Sequence, residues 1–365
     1  MSLIIFFIIL SALIIVHELG HFLVARYFGI RVDEFGLGYP PRAAKLFTWM
    51  KTDFTLNWLP FGGFVKIYGE NPESLPEESA GVQPIPNDSF QSKNRGIQAA
   101  VLAAGVFFNF LFAWLLISLG FMTGIPSPAG FDLPVENPQT VVTLVVPGSP
   151  AEVGGIQAGD TIVAVSRSGN VTGDLSPQTI SQFIGESTEP LTFTVERGDV
   201  LSEKVITPAS DILADRPAVG ISMETIGTVK LPVHEALWHG MKTTVLATWL
   251  TAKAIVGLVS QAVVGKADLG AVTGPVGIVG MVGDMRELGL SYLITFTALL
   301  SINLSIINLL PVPALDGGRL LFVGVESVVR KQIPPRFFNA INAAGFALLI
   351  FLMILITIRD VRNIF

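Results

Sequence analysis

The apolar stretch that opens the chain contains the pentad His17-Glu18-Leu19-Gly20-His21. Leu3 to Val16 carries no charge, and Phe22-Leu23-Val24-Ala25 resumes the apolar run beyond the pentad. On a helix, residues four apart share a face, so His17 and His21 can present two imidazole nitrogens to one ion. Glu18 stands beside His17, within reach of a water on that ion. H-E-x-x-H supplies two ligands and a general base, the pattern suited to zinc and water activation. Chance alone would give roughly 0.002 copies in a chain of this composition, so the pattern is specific. The bland alternative is a polar cap on a membrane helix at headgroup level. It requires the pentad to lie outside the apolar run, and the pentad lies within it. Ionisable groups at such depth are costly and mark function by default.

A third ligand must come from oxygen or nitrogen, because the chain contains no cysteine. Near the other end of the sequence lies Asn308-Leu309-Leu310-Pro311-Val312-Pro313-Ala314-Leu315-Asp316-Gly317-Gly318-Arg319. Prolines two apart cannot continue a regular helix. Broken backbone at membrane depth is tolerated only where it is buried in protein or lines a cavity. Asp316 beside that break is therefore the preferred oxygen ligand, against the simpler role of capping a helix that begins near Gly317. Glu326, among Arg330 and Lys331, is the weaker competitor. Asn109, the one amide in the middle of the second apolar span, reads either as an interhelical hydrogen bond or as a residue facing the active site.

These residues need a membrane scaffold to bring them together. The 365 residues are half hydrophobic, have a mean hydropathy of +0.61 and are only 14% charged, against about a quarter charged in soluble chains. A net charge of −6 without a basic cluster excludes nucleic acid as a partner. The sequence predicts four transmembrane helices: the N-terminal one, Ile97–Met122, Ser291–Leu310 and Phe338–Ile358. The first lacks a basic n-region and reads as a retained span, not a cleavable signal peptide. Arg26 and Arg31 after it, Lys93 and Arg95 before the second, and Arg319 to Arg336 after the third orient the termini outside and the first loop inside.

Between these spans the chain divides into pieces. The N-terminal membrane region covers 1–123, with a β-hairpin at about 53–68 turning at Pro60-Phe61-Gly62-Gly63 and a linker at 69–96. A soluble α+β domain at 126–223 alternates strands at 141–146, 161–165, 191–196 and 203–207 with a helix at 177–184. Its Pro147-Gly148-Ser149-Pro150-Ala151-Glu152 and Ala158-Gly159-Asp160 resemble the PDZ fold, which binds extended peptides along a sheet edge; a steric filter or spacer is equally open. Residues 232–266 form an amphipathic helix expected to lie in the interface, with His234 and His239 at its surface. The C-terminal membrane region covers 267–365. The fold class is therefore membrane α-helical, with a cytoplasmic-side hairpin and an inserted PDZ-like domain.

H-E-L-G-H in the first span, the Phe-Gly-Gly-Phe hairpin, the PDZ-like insertion and N-x-x-P-x-P-x-L-D-G-G in the third span together resemble the site-2 protease family of intramembrane zinc metalloproteases. The likeness is to its bacterial RseP-type branch and covers nearly the whole chain. It implies Zn2+ held by His17, His21 and Asp316, with Glu18 as general base. Asn308 would contact the substrate backbone or oxyanion, and the hairpin around Gly62, Gly63 and Phe64 would pair with the unwinding substrate. Pro311 and Pro313 join these as substrate-binding candidates. Implied too are a bacterial inner-membrane location, a transmembrane protein or peptide substrate such as an anti-sigma factor or a signal-peptide remnant, and a prior site-1-type protease. Relatives often carry two tandem PDZ domains, whereas this chain has room for one. A Gly-Pro pair common in the second span is here Gly105-Val106. Two other classes stay open at this level: a membrane PDZ scaffold with a dead metal site, and a transporter with a broken helix.

Overall fold

The computed structural model describes residues 1–70, 86–128, 134–198, 200–210, 212, 216–266, 273–331 and 333–364. The chain splits into two compact units, one formed by Met1–Leu119 with Leu237–Phe365 and the other by Gly120–Ala236.

The first unit is built on helices α1 (Ser2–Tyr27), α2 (Arg95–Thr123), α5 (Val233–Val263), α6 (Pro275–Leu288), α7 (Leu290–Leu309), α8 (Asp316–Val329) and α9 (Pro335–Ile364), two of which, α2 and α5, run on into the second. Among the described residues, five helices are long and apolar enough to cross a bilayer: α1, α2, α5, α7 and α9. The expected count of four is thus exceeded by one candidate. The amphipathic 232–266 segment forms a continuous 31-residue helix, α5, whose length and composition qualify it.

Small residues let the helices approach closely. A Cβ on Gly20 of α1 would lie 2.5 Å from the Ala104 carbonyl of α2. From α7, the Ser301 and Ser305 hydroxyls donate to the Asn109 and Val106 carbonyls of α2, each at 2.8 Å. At one end Ile9, Leu13 and Val282 pack with Phe112, Leu293 and Phe296. At the other, Phe22, Ala25, Phe35, Val101, Leu102 and Val323 form a second core.

The hairpin departs from its predicted bounds. Strand β1 (Val32–Trp49) pairs antiparallel with β2 (Thr52–Ile67). The turn is Met50-Lys51, both at positive φ, as a two-residue hairpin turn demands. Pro60-Phe61-Gly62-Gly63 instead lies within β2. Phe35 pairs with both Val65 and Phe54, so the first part of β1, Glu34 to Leu37, is flanked on both sides. Phe22 of α1 anchors this ribbon, with its ring 5.8 Å from Phe35 and 5.7 Å from Phe54. Residues 71–85, most of the expected linker, lie outside the described residues; Phe90–Ser92 forms a short 3₁₀ turn with Phe90 buried.

The second unit carries a seven-stranded sheet in the order β3-β9-β4-β5-β7-β8, with β6 against β5. Its strands are β3 (Ile125–Pro128), β4 (Glu136–Val145), β5 (Thr161–Arg167), β6 (Asn170–Val171), β7 (Leu191–Arg197), β8 (Val200–Ile206) and β9 (Ile221–Val229), with α3 (Pro150–Val153) and α4 (Pro177–Gly185). It extends beyond the expected 126–223 because β9 and the edge strand β3 belong to it. Alternation along β7 buries Leu191, Phe193 and Val195 against Ile162, Ile180 and Ile184. Ser149 and Ser176 cap α3 and α4, each with proline in the first turn.

Candidate metal centre

α1 runs unbroken through the pentad, so His17 and His21 emerge one turn apart, both buried. The chain returns to them at α8. α7 ends at Leu309, Leu310 is extended, and Ala314 adopts a positive φ before α8 starts at Asp316. Glycines at 317 and 318 are required here, because Cβ atoms would strike the Leu309, Leu310 and Val312 carbonyls. Asp316 is the first residue of α8, and Leu315, its N-cap, makes no side-chain cap. The Asp316 side chain therefore serves the imidazoles and not the helix start.

The three donors converge. Asp316 Oδ2 lies 2.9 Å from His17 Nε2 and 3.3 Å from His21 Nε2, across 299 residues of sequence in the first case. The two Nε2 atoms are 3.2 Å apart. Among the described residues these form the one His/Cys/Asp/Glu group suited to hold a metal ion. Donors about 2.0–2.1 Å from a four-coordinate zinc stand about 3.3 Å from one another, so this trio fits zinc. Its chemistry fits as well, with two imidazole nitrogens and one carboxylate at a site of low solvent exposure. The His21 Nδ1 donates to the Val101 carbonyl at 2.8 Å, which leaves Nε2 as the free lone pair.

Around the trio, Asn308 Nδ2 is 3.3 Å from His17 Nε2, and Asn109 Nδ2 is 3.3 Å from His17 Nδ1. Both asparagines thus reach the site, Asn109 from α2 and Asn308 from the last turn of α7. Glu18 faces the hairpin side: a Cβ on Gly63 would lie 3.9 Å from Glu18 Cγ and 3.8 Å from Ile14 Cγ2. The missing side chain at Gly63 allows β2 to run against α1 beside the pentad. Gly62, at φ +85, lies under the Tyr39 ring, and Phe64 covers Gly36. Pro313 packs against Gly345 of α9, and Pro311 is exposed. Glu326 is bound elsewhere, 2.7 Å from Arg95, and Arg319 pairs with Glu70. His234 is exposed, its Nε2 3.8 Å from Glu235 Oε1.

Gly105 is a site residue that spacing does not reveal. A Cβ there would lie 2.6 Å from His17 Cε1 and would also strike His21 Nε2. Its sequence signals are its place in the small-residue run Ala103-Ala104-Gly105 and its match to the glycine of the Gly-Pro pair noted above.

Comparison with known proteins decides the family. Residues 5–352 match the pattern of peptidase family M50. The chain belongs to that family. A relative from Clostridium perfringens is 34% identical over 354 residues, 96% of each chain. One from Rickettsia conorii is 31% identical over 382 residues, covering all of this chain and 99% of its own. Zinc metalloprotease RasP of Geobacillus kaustophilus is 29% identical over 438 residues, covering all of this chain and 98% of its own. Among solved structures, the PDZ domain of an SdrC-like protein from Listeria monocytogenes is 22% identical over 25% of this chain and 93% of its own, with a TM-score of 0.21. As a member of family M50, the site-2 proteases, this chain is a zinc metalloprotease of the membrane, which sets aside the scaffold and transporter readings.

Proposed function

We propose that this family M50 protease hydrolyses a peptide bond within or near a transmembrane helix, with zinc held by His17, His21 and Asp316 and Glu18 as the base. The observation that carries the reading is the convergence of two imidazoles and a carboxylate from opposite ends of the chain. Bound zinc supplies Lewis acidity and lowers the pKa of water toward about 7. Glu18, one residue from His17, takes the proton from the attacking water and returns it to the leaving amine. Asn308 points its amide at the same spot from α7 and donates to the carbonyl oxygen as negative charge develops there. A helical substrate hides its carbonyls in intrahelical bonds and must be extended first. Strand β2 at Gly62, Gly63 and Phe64 offers backbone beside Glu18 on which an extended segment pairs. Pro311 and Pro313 keep the chain between α7 and α8 non-helical, which leaves backbone groups open toward the site.

Four spans, with both termini outside and the hairpin inside, suit this chemistry. α5 starts beside the far end of α2, where Trp114 Nε1 donates to the Leu237 carbonyl at 2.9 Å. α6 starts where Gly277 N–H donates to Asp360 near the end of α9, and Gly283 packs by Ser2. The start of α5 and the start of α6 thus both lie toward the face where α1 begins, which favours an interfacial α5. Exposed Trp238 and Trp249, with Lys242 5.0 Å over the Trp238 ring, suit a headgroup layer. The setting is the bacterial inner membrane. The substrate is a membrane protein already shortened by another protease, and the PDZ-like unit binds or screens the segment so exposed.

The test is zinc content together with cleavage of a model transmembrane substrate in vesicles by the parent and by Glu18→Gln. The variant keeps zinc and loses turnover. Retained turnover removes Glu18 as the base, and a zinc-free parent removes the ligand assignment.

A further inference from the structure

Each zinc-ligating imidazole needs a partner for its second nitrogen, and here the two partners differ. His21 Nδ1 faces a backbone carbonyl, which only accepts. His17 Nδ1 faces the side-chain amide of Asn109 at 3.3 Å. Asn109 is fully buried in the middle of α2, and its Oδ1 has no hydrogen-bond partner. With Nδ2 toward His17, Nδ1 must accept, and the ring proton then sits on Nε2. That nitrogen is the one that points at Asp316 Oδ2 and His21 Nε2. A proton there excludes the ligand role.

An amide carries an acceptor and a donor of nearly the same shape, and a half-turn about χ2 exchanges them. Oδ1 then accepts from Nδ1–H, and Nε2 is left with its lone pair toward the ion. The rest of Asn109 is held in place for this. Its backbone carbonyl accepts from Ser301 of α7 at 2.8 Å, and the neighbouring turn carries Gly105 against both rings.

We propose that Asn109 is a positioning residue that fixes the tautomer and orientation of His17, with its amide oxygen on Nδ1–H when the site is loaded. The inference rests on the ligand assignment made above. It predicts an asymmetry between the two histidines. The partner of His21 is main chain and survives any side-chain substitution, whereas the partner of His17 can be deleted.

The experiment measures zinc affinity of the full-length protein in detergent by competition with a chelator, for the parent, Asn109→Leu and Asn109→Asp. Asn109→Leu has no acceptor and binds zinc about 10–100-fold more weakly, the usual cost of losing such a partner. Asn109→Asp keeps an oxygen on Nδ1–H and stays close to the parent. A role in helix packing alone predicts the reverse order, because Leu is the better tenant of an apolar helix contact. Equal affinity for parent and Asn109→Leu overturns the proposal, as does an Asp variant as weak as the Leu variant. Should Asn109→Leu fail to fold, nitrogen-15 spectra of the zinc-loaded parent decide: a proton on His17 Nδ1 supports the proposal, and a bare Nδ1 overturns it. A parent that binds no zinc fails the ligand assignment instead, so the two failures are distinguishable.

Discussion

Two aspartates, one in each unit, show how differently this chain treats a carboxylate removed from water. Asp160 in the second unit is wholly buried and meets a permanent cation: Arg197 Nε reaches Oδ1 at 2.6 Å and an Arg197 terminal nitrogen reaches Oδ2 at 2.8 Å. The backbone N–H of Gln157 completes the shell at 2.9 Å. Such a carboxylate is satisfied and its job is architectural, tying the turn before β5 to the end of β7. Asp316 in the first unit meets two imidazoles instead of a guanidinium. A carboxylate gathered with two imidazole nitrogens at low exposure is a donor set that a divalent cation fits. The lesson is that burial alone does not mark a site. The kind of partner does.

The comparison can be broken or sharpened at several points. Glu18→Gln should cost the most, about 10²–10⁴-fold in turnover, the usual yield of a general base, with zinc content unchanged. Gly105→Ala should follow, since its methyl displaces His17 from 2.6 Å; about 100-fold lower turnover is expected even though alanine favours the helix. In the second unit, Arg197→Met leaves Asp160 buried without its cation and should destabilise that unit by about 3 kcal/mol in denaturant titrations. Zinc content should not change, and a loss of zinc there would blur the contrast between the two aspartates. Ser176→Ala should be the mildest, removing the cap of α4 for about 1 kcal/mol.

The proposed metal ligands are legible from sequence because their signal is local. His17 and His21 are set by helical spacing, and Asp316 by the proline break before it. Strands β4, β5, β7 and β8 of the second unit are legible from their apolar runs, though β4 starts earlier than expected and the two-residue β6 is not legible. The hairpin misleads because Pro60-Phe61-Gly62-Gly63 has the composition of a turn. Those glycines serve close approach to α1 and Tyr39 instead, while the actual turn uses Met50 and Lys51, residues that carry no turn signal. Ile125-Pro126-Ser127-Pro128 reads as a break because proline withholds a donor, yet it pairs with β9 as the sheet's edge, where that donor is not needed. The contact of Gly105 with both rings stays hidden because it depends on α2 meeting α1, a tertiary fact without a spacing rule; Asn109 stands out in the sequence, but its choice of His17 as partner depends on the same meeting.

The most direct measurement is X-ray absorption at the zinc edge on the purified protein and on Asp316→Asn. The parent should show two imidazole nitrogens and a carboxylate oxygen at about 2.0–2.2 Å, and the variant should lose the oxygen shell or the metal. A parent without zinc, or a variant whose zinc environment is unchanged, would contradict a centre assembled by the two ends of the chain.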